Sequence, residues 1–272
     1  PFGFQLHLEH PDKIILFQKV NLEMPKTSQT PNLSETQWKS VYILGAIAAI
    51  LSLLAVVADI VIGSSLGANL AELPQTAIER FAQFQLNPWL GLYNLDLLNT
   101  VNQLISIPVF FALYAAHRKT NPPHSLLALI IFLTGTTIFA ANNVALSMLE
   151  LSHKYAAASE AQKSLLAAAG EALLVRGEHG SLGVFFSFSL PTLAALMFSL
   201  VMLQGKIFSK ANAWVGIIGN VLMLAYVVLV TFAPAVKEMA MAFAMPGGLL
   251  LLAWMVMLTI RLFQLGTLRE SK

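Results

Sequence analysis

Six stretches in which apolar side chains run almost without interruption set the rhythm of this chain: about Val41–Val61, Leu97–Ala116, Leu126–Leu149, Leu182–Leu203, Ala211–Phe232 and Met241–Phe263. Each approaches or exceeds the roughly 20 apolar residues that carry a helix across a bilayer. Hydrocarbon offers the backbone no hydrogen-bond partner, so segments of this kind are expected as helices, whose N–H and C=O groups satisfy one another. The pattern predicts an all-α polytopic membrane protein with six transmembrane helices.

The polar connections alternate in character. Lys26 and Lys39 precede the first span, His117-Arg118-Lys119 joins the second to the third, Lys206 and Lys210 join the fourth to the fifth, and Arg261, Arg269 and Lys272 end the chain. All fall on one side of a six-span arrangement. The positive-inside rule makes that side cytoplasmic, with both termini on it. The other side receives two long connections. In the first, Ile78, Phe81 and Phe84 recur at helical spacing until Asn87-Pro88. In the second, residues 157–175 are rich in strong helix formers, and Leu165, Leu166, Ala169 and Leu173 share a face. Both read as extracytoplasmic amphipathic helices, lying at the surface or packed over the bundle end. Trp38, Tyr42, Trp89, Tyr93, Tyr155 and Trp214 fall near span ends, where amphipathic rings gather. Pro108 and Pro191 predict kinks inside the second and fourth spans, and Pro246-Gly247-Gly248 marks a potential break in the sixth.

Composition agrees with the pattern. The chain has 272 residues, of which 57% are hydrophobic and 11% charged, where a soluble domain carries about 25% charged residues. A net charge of +2, without a basic patch, gives no reason to expect nucleic acid as a partner. The expected partner is the lipid bilayer, with a small-molecule or lipid ligand as a second candidate; the oligomeric state is left open. Cysteine is absent, which removes disulfides, thiolate nucleophiles and cysteine metal sites. Residues 1–23 lack a clear period and precede the first methionine, Met24. They are expected to be an upstream non-native segment, the rival being a short interfacial element. Residues 24–40 then form a cytoplasmic tail, 41–265 the membrane domain and 266–272 a second tail.

Polar residues inside the apolar runs are the candidates for function. Asp96, Asn99, Gln103 and Ser106 share one helical face in the second span, with Asn102 beside it; Thr136, Asn143, Ser147 and Glu150 align in the third, with Asn142 adjacent. Asp59 lies near the end of the first. Unpaired polar groups in hydrocarbon cost several kcal/mol, so these should face the bundle or water. Asp59, Asp96, Asn99, Asn102, Gln103, Asn142 and Asn143 are the expected lining of an outward-facing polar cavity. The competing reading makes the same groups interhelical hydrogen-bond cement, at about 0.6 kcal/mol each. No catalytic constellation accompanies them. The six histidines lie outside the apolar spans and read as solvated or interfacial, no H-E-x-x-H pair occurs, and the glycines at 170, 177, 180 and 183 match no phosphate loop. No catalytic residue, metal site or cofactor is therefore expected.

Three stretches carry a family resemblance: Asn94 through Arg118, Leu165 through Leu190 and Phe208 through Tyr226. Together they resemble a bacterial family of integral membrane proteins, domain of unknown function four-three-eight-six, over about residues 41–265. That resemblance implies a multi-span fold in a bacterial inner membrane and carries no reaction, cofactor or site residue. The functional expectation is a non-enzymatic membrane protein that binds or moves a small or lipid-like molecule. A structural or accessory subunit is the alternative, and an intramembrane enzyme the third.

Overall fold

The computed structural model describes residues 35–65, 74–177 and 181–267. The expectations for residues 1–23, for most of the 24–40 tail and for 268–272 lie outside it. The described residues form eleven α-helices, one short 3-10 turn and no strand. They are α1 (Glu35–Ser65), α2 (Ala77–Leu86), α3 (Pro88–Tyr93), α4 (Leu97–Ile105), α5 (Ile107–His117), α6 (Pro122–Asn142), α7 (Ala145–Ala156), α8 (Glu160–Gly177), α9 (Leu182–Gln204), α10 (Lys210–Phe232) and α11 (Lys237–Thr267).

Six of these segments are long and apolar enough to cross a membrane, and the chain is a multi-pass membrane protein. The spans are α1, α4–α5, α6, α9, α10 and α11. Each packs against its neighbour in sequence, and α11 returns to α1, closing a ring. The outer surface of the ring is apolar: Leu44, Ile47, Leu51 and Leu54 on α1, or Leu126, Leu127 and Ile130 on α6, are exposed. In water such a surface would aggregate; in lipid it is the surface the solvent demands.

Proline has a different effect in each span. Pro108 cannot donate a hydrogen bond, and α4 gives way to α5 two residues before it, at Ser106. Pro191 and Pro246 sit inside α9 and α11, both of which continue through them. The break anticipated at Pro246-Gly247-Gly248 does not occur, because a chain in hydrocarbon loses more by unwinding than by forgoing one bond. The third apolar run, by contrast, divides at Asn143. That residue has an extended backbone, and its side-chain oxygen accepts from the Ala145 N–H (3.1 Å), starting α7.

The two ends of the ring are built differently. At the basic end, the Arg118 guanidinium donates to the Tyr42 hydroxyl (2.9 Å) and lies 4.1 Å from the centre of the Trp38 ring. Asn121 donates to Gln204 (2.8 Å), and Arg261 holds the Ile207 carbonyl. His117 corrects the expectation of a solvated imidazole. It is fully buried, its Nδ1 lies 3.0 Å from the Leu113 carbonyl, and its ring stacks on Phe208. The Phe208 ring and the Leu113 carbonyl give the buried imidazole an aromatic face and a polar partner in place of water.

At the opposite end, α2, α3, α7 and α8 gather into a second apolar cluster around Phe81, Phe84, Leu92, Leu95 and Met148. A capping box sets the start of α2: the Thr76 hydroxyl accepts from the Glu79 N–H while the Glu79 carboxylate accepts from the Thr76 N–H. The Thr76 and Gln75 N–H groups, both donating to that carboxylate, hold the Glu79 carboxyl below its ordinary pKa. The contact face of α8 is Gly170, Leu174 and Gly177, one step around the helix from the leucine stripe read in sequence; Leu165 stays exposed. Gly170 lies where an added Cβ would strike Ala77 and Phe81. Absence of a side chain, more than apolarity, determines which face of α8 docks.

Candidate functional site

Toward the basic end the ring has a filled interior. Alanines 46, 48 and 49 of α1 pack against alanines 112, 115 and 116 of α5, with Leu113, Leu129, Met202, Leu258 and Leu262 between the other helices. This packing ends at mid-height in three aromatic rings. Phe110 stacks on Phe132, with centroids 3.6 Å apart, and meets Phe198 edge-on at 5.7 Å. Above that floor the helices enclose a partly open cavity of about 270 Å³, to which all six spans contribute.

The cavity is lined by neutral groups. Apolar walls come from Leu53 and Val56 on α1, Ala195 on α9 and Leu251, Leu252 and Met255 on α11. The polar groups are Ser52, Asn102, Gln103, Ser106, Thr192 and Asn220, with Trp254 beside them. Several are held by their own helices. Ser106 donates to the Asn102 carbonyl (2.9 Å), Thr192 to Phe188 (2.7 Å) and the Asn220 amide to Gly216 (2.7 Å). A hydroxyl has one proton. Because Ser106 spends its proton on Asn102, the 2.9 Å contact between Ser52 and Ser106 is a bond in which Ser52 donates.

Two buried atoms of the lining residues have no hydrogen-bond partner among the described residues: the amide oxygen of Asn102 and the indole Nε1 of Trp254. The Trp254 Nε1 sits against Gly216, where an added Cβ would lie 2.4 Å from it. The cavity thus offers an acceptor on α4, hydroxyls and amides on three other helices and at the α4–α5 junction, and aromatic rings below. It suits a small molecule with an apolar body and neutral polar groups. Its lining residues include no acid, lysine, arginine or histidine.

The seven residues singled out from sequence divide between two places. Asn102 and Gln103 line the cavity. The other five lie at helix junctions toward the end opposite the basic one. Tyr93 donates to the Asp59 carbonyl (3.0 Å); burial, with the Asp59 carboxylate nearby, pushes the pKa of that phenol up to about 12. Asp96 begins α4 with a left-handed backbone (φ 59°) and accepts from the Asn99 amide (3.0 Å). Asn142 accepts from Arg176 (3.1 Å) and donates to the Gly183 carbonyl (2.7 Å). Asn143 donates to the Leu95 carbonyl (2.8 Å).

Sequence reasoning passed over Ser52, Thr192, Asn220 and Trp254. None of them belongs to a closely spaced polar stripe of the kind that marks α4. A usable signal existed in Asn220, an amide near the centre of an apolar run, and in Trp254, a tryptophan far from either span end. Among the described residues no cluster of three or more histidine or acidic side chains could hold a metal ion.

Comparison with known proteins adds a family. The chain belongs to the family described as Domain of unknown function (DUF4386), which matches residues 40–261. No curated protein and no solved structure matches it significantly.

Proposed function

We propose that this member of the DUF4386 family is a membrane-embedded binding protein whose central cavity receives a small neutral molecule with an apolar body. The observation that carries the reading is a cavity to which every span contributes, lined by neutral hydrogen-bonding groups and closed below by Phe110 and Phe132. Its volume, about 270 Å³, lies near the lower end of ligand sites, which run from about 300 Å³ upward. Asn102 and Gln103 present amides to the ligand, and Ser52 and Ser106 lie alongside.

Lysine and arginine gather at the end closed by the aromatic floor, which supports a cytoplasmic assignment for that end and for both termini. The cavity then receives its ligand from the outer side of a bacterial plasma membrane. Transport would require the three rings to part.

Native mass spectrometry of protein gently extracted from its own membrane tests the reading. The wild-type chain should retain a small neutral molecule, and an Asn102→Leu, Asn220→Leu double variant that is still folded should have lost it. A folded double variant carrying the same molecule would reject the cavity as its site. The alternative, a structural or accessory subunit, is favoured by the use of Asn142, Asn143 and Asn99 as helix joints. That reading expects the double variant to be silent.

A further inference from the structure

A second concavity, of about 430 Å³, lies at the basic end, between the α9–α10 connection and α11. Ile207, Phe208, Met257 and Ile260 form its apolar wall, and Lys206 and Arg261 are its cations, with no acidic side chain in the lining. Arg261 is held in place: its Nε donates to the Ile207 carbonyl and one terminal nitrogen to Gln264 (3.1 Å). Lys206 is exposed and has no ion-pair partner among the described residues. The start of α10, a helix of 23 residues, opens on the same place, with Ser209 as its cap. Asn212, 2% exposed, also lines the concavity, and its amide oxygen has no partner.

This combination describes a particular ligand. Two cations and a helix N-terminus call for an anion of phosphate type. An apolar wall running from that point along α11 into the membrane calls for a chain attached to the anion. A buried, unpartnered acceptor calls for a donor carried by the headgroup. We propose that the concavity is a binding site for an anionic phospholipid with a hydroxyl-bearing headgroup, of the phosphatidylglycerol type. Its phosphate sits between Lys206 and Arg261, a headgroup hydroxyl donates to Asn212, and an acyl chain lies along Met257 and Ile260. The site is separate from the central cavity and does not depend on it.

The test is retention of defined lipids, read by native mass spectrometry after reconstitution of the full chain in phosphatidylcholine nanodiscs holding a minor fraction of a second lipid. Phosphatidylglycerol should be retained in preference to phosphatidylcholine. It should also be preferred to phosphatidylmethanol, which has the same charge and no headgroup hydroxyl. Lys206→Gln and Arg261→Gln should each lower retention about fivefold, the effect of one interfacial cation. Lys206→Gln removes no intramolecular bond, so its result stands even if Arg261→Gln disturbs the Ile207 turn. Asn212→Leu should keep the charge preference and erase the discrimination against phosphatidylmethanol. Equal retention of phosphatidylglycerol and phosphatidylcholine, or wild-type retention by Lys206→Gln, overturns the proposal. Displacement of the lipid by inorganic phosphate also overturns it, since the site would then serve a free anion.

Discussion

The two halves of the helix ring use the same spans to opposite ends. From mid-height to the basic end, small residues bring the helices together: an added Cβ on Gly45 would lie 2.4 Å from the Ala112 Cβ and 3.1 Å from the Pro108 carbonyl. From mid-height to the other end, serine, asparagine and threonine replace alanine on the inner faces and the helices stand apart around the cavity. Close approach drives association in lipid, where the hydrophobic effect between helices is missing. The packed half therefore carries the stability of the ring, and this leaves the hollow half free to hold a ligand.

The sharpest way to break this division is to remove the floor that separates the halves. Phe110→Ala should cost about 3–5 kcal/mol and deepen the cavity into the packed half. The checks are the thermal unfolding midpoint in detergent and solvent accessibility on the basic side of the ring. Gly45→Ala acts only on the packed half. It forces α1 from α5, with an expected loss of about 1–3 kcal/mol in the same thermal assay and no change in the ligand that co-purifies.

In the hollow half the pattern should reverse. Asn102→Leu combined with Asn220→Leu should shift stability by less than about 1 kcal/mol, since the Asn220 amide bonds only its own helix and the Asn102 amide oxygen has no partner to lose. Ligand retention should nevertheless disappear.

The smallest effect belongs to the cluster beyond the hollow half. The Glu79 carboxyl titrates below its ordinary value of 4.5 because the Thr76 and Gln75 backbone donors favour the ionised form. A depressed carboxyl contributes stability that is present above 4.5 and lost as pH falls through the lower folded value. Amide exchange at the start of α2 should quicken over that acid window in the wild type, and Glu79→Gln should flatten the pH dependence.

The packed half was far more legible in sequence than the hollow one. Six spans follow from length and apolarity, because a backbone in hydrocarbon has almost no choice but a helix. Their boundaries came close: Ala211–Phe232 was expected where the structure has α10 over Lys210–Phe232. The division of the third run at Asn143 was not legible, since an asparagine caps a helix or faces a cavity with the same side chain. For the same reason the polar stripe on that run misled. Thr136 is buried, whereas Ser147 and Glu150 are exposed beyond the break, and Glu150 pairs with Lys154 at 2.6 Å.

The cavity lining depends on which face each span turns inward, and a uniformly apolar helix gives no periodic signal for that. Ser52, Asn220 and Trp254 come together only because α10 and α11 close the ring back onto α1. Asn102 and Gln103 stand out in sequence because α4 is amphipathic, with polar residues spaced along one side.

The chain contains no cysteine, so single cysteines report on each half without background. The decisive measurement is labelling of Ser52→Cys and Asn220→Cys in the hollow half and Ala128→Cys in the packed half, using a membrane-impermeant thiol reagent added to each side in turn. Reaction at the first two from the side opposite the basic end, with Ala128→Cys silent from both sides, is the predicted result. Equal labelling of all three, or reaction of Ser52→Cys and Asn220→Cys from the basic side alone, would contradict a cavity closed by Phe110 and Phe132.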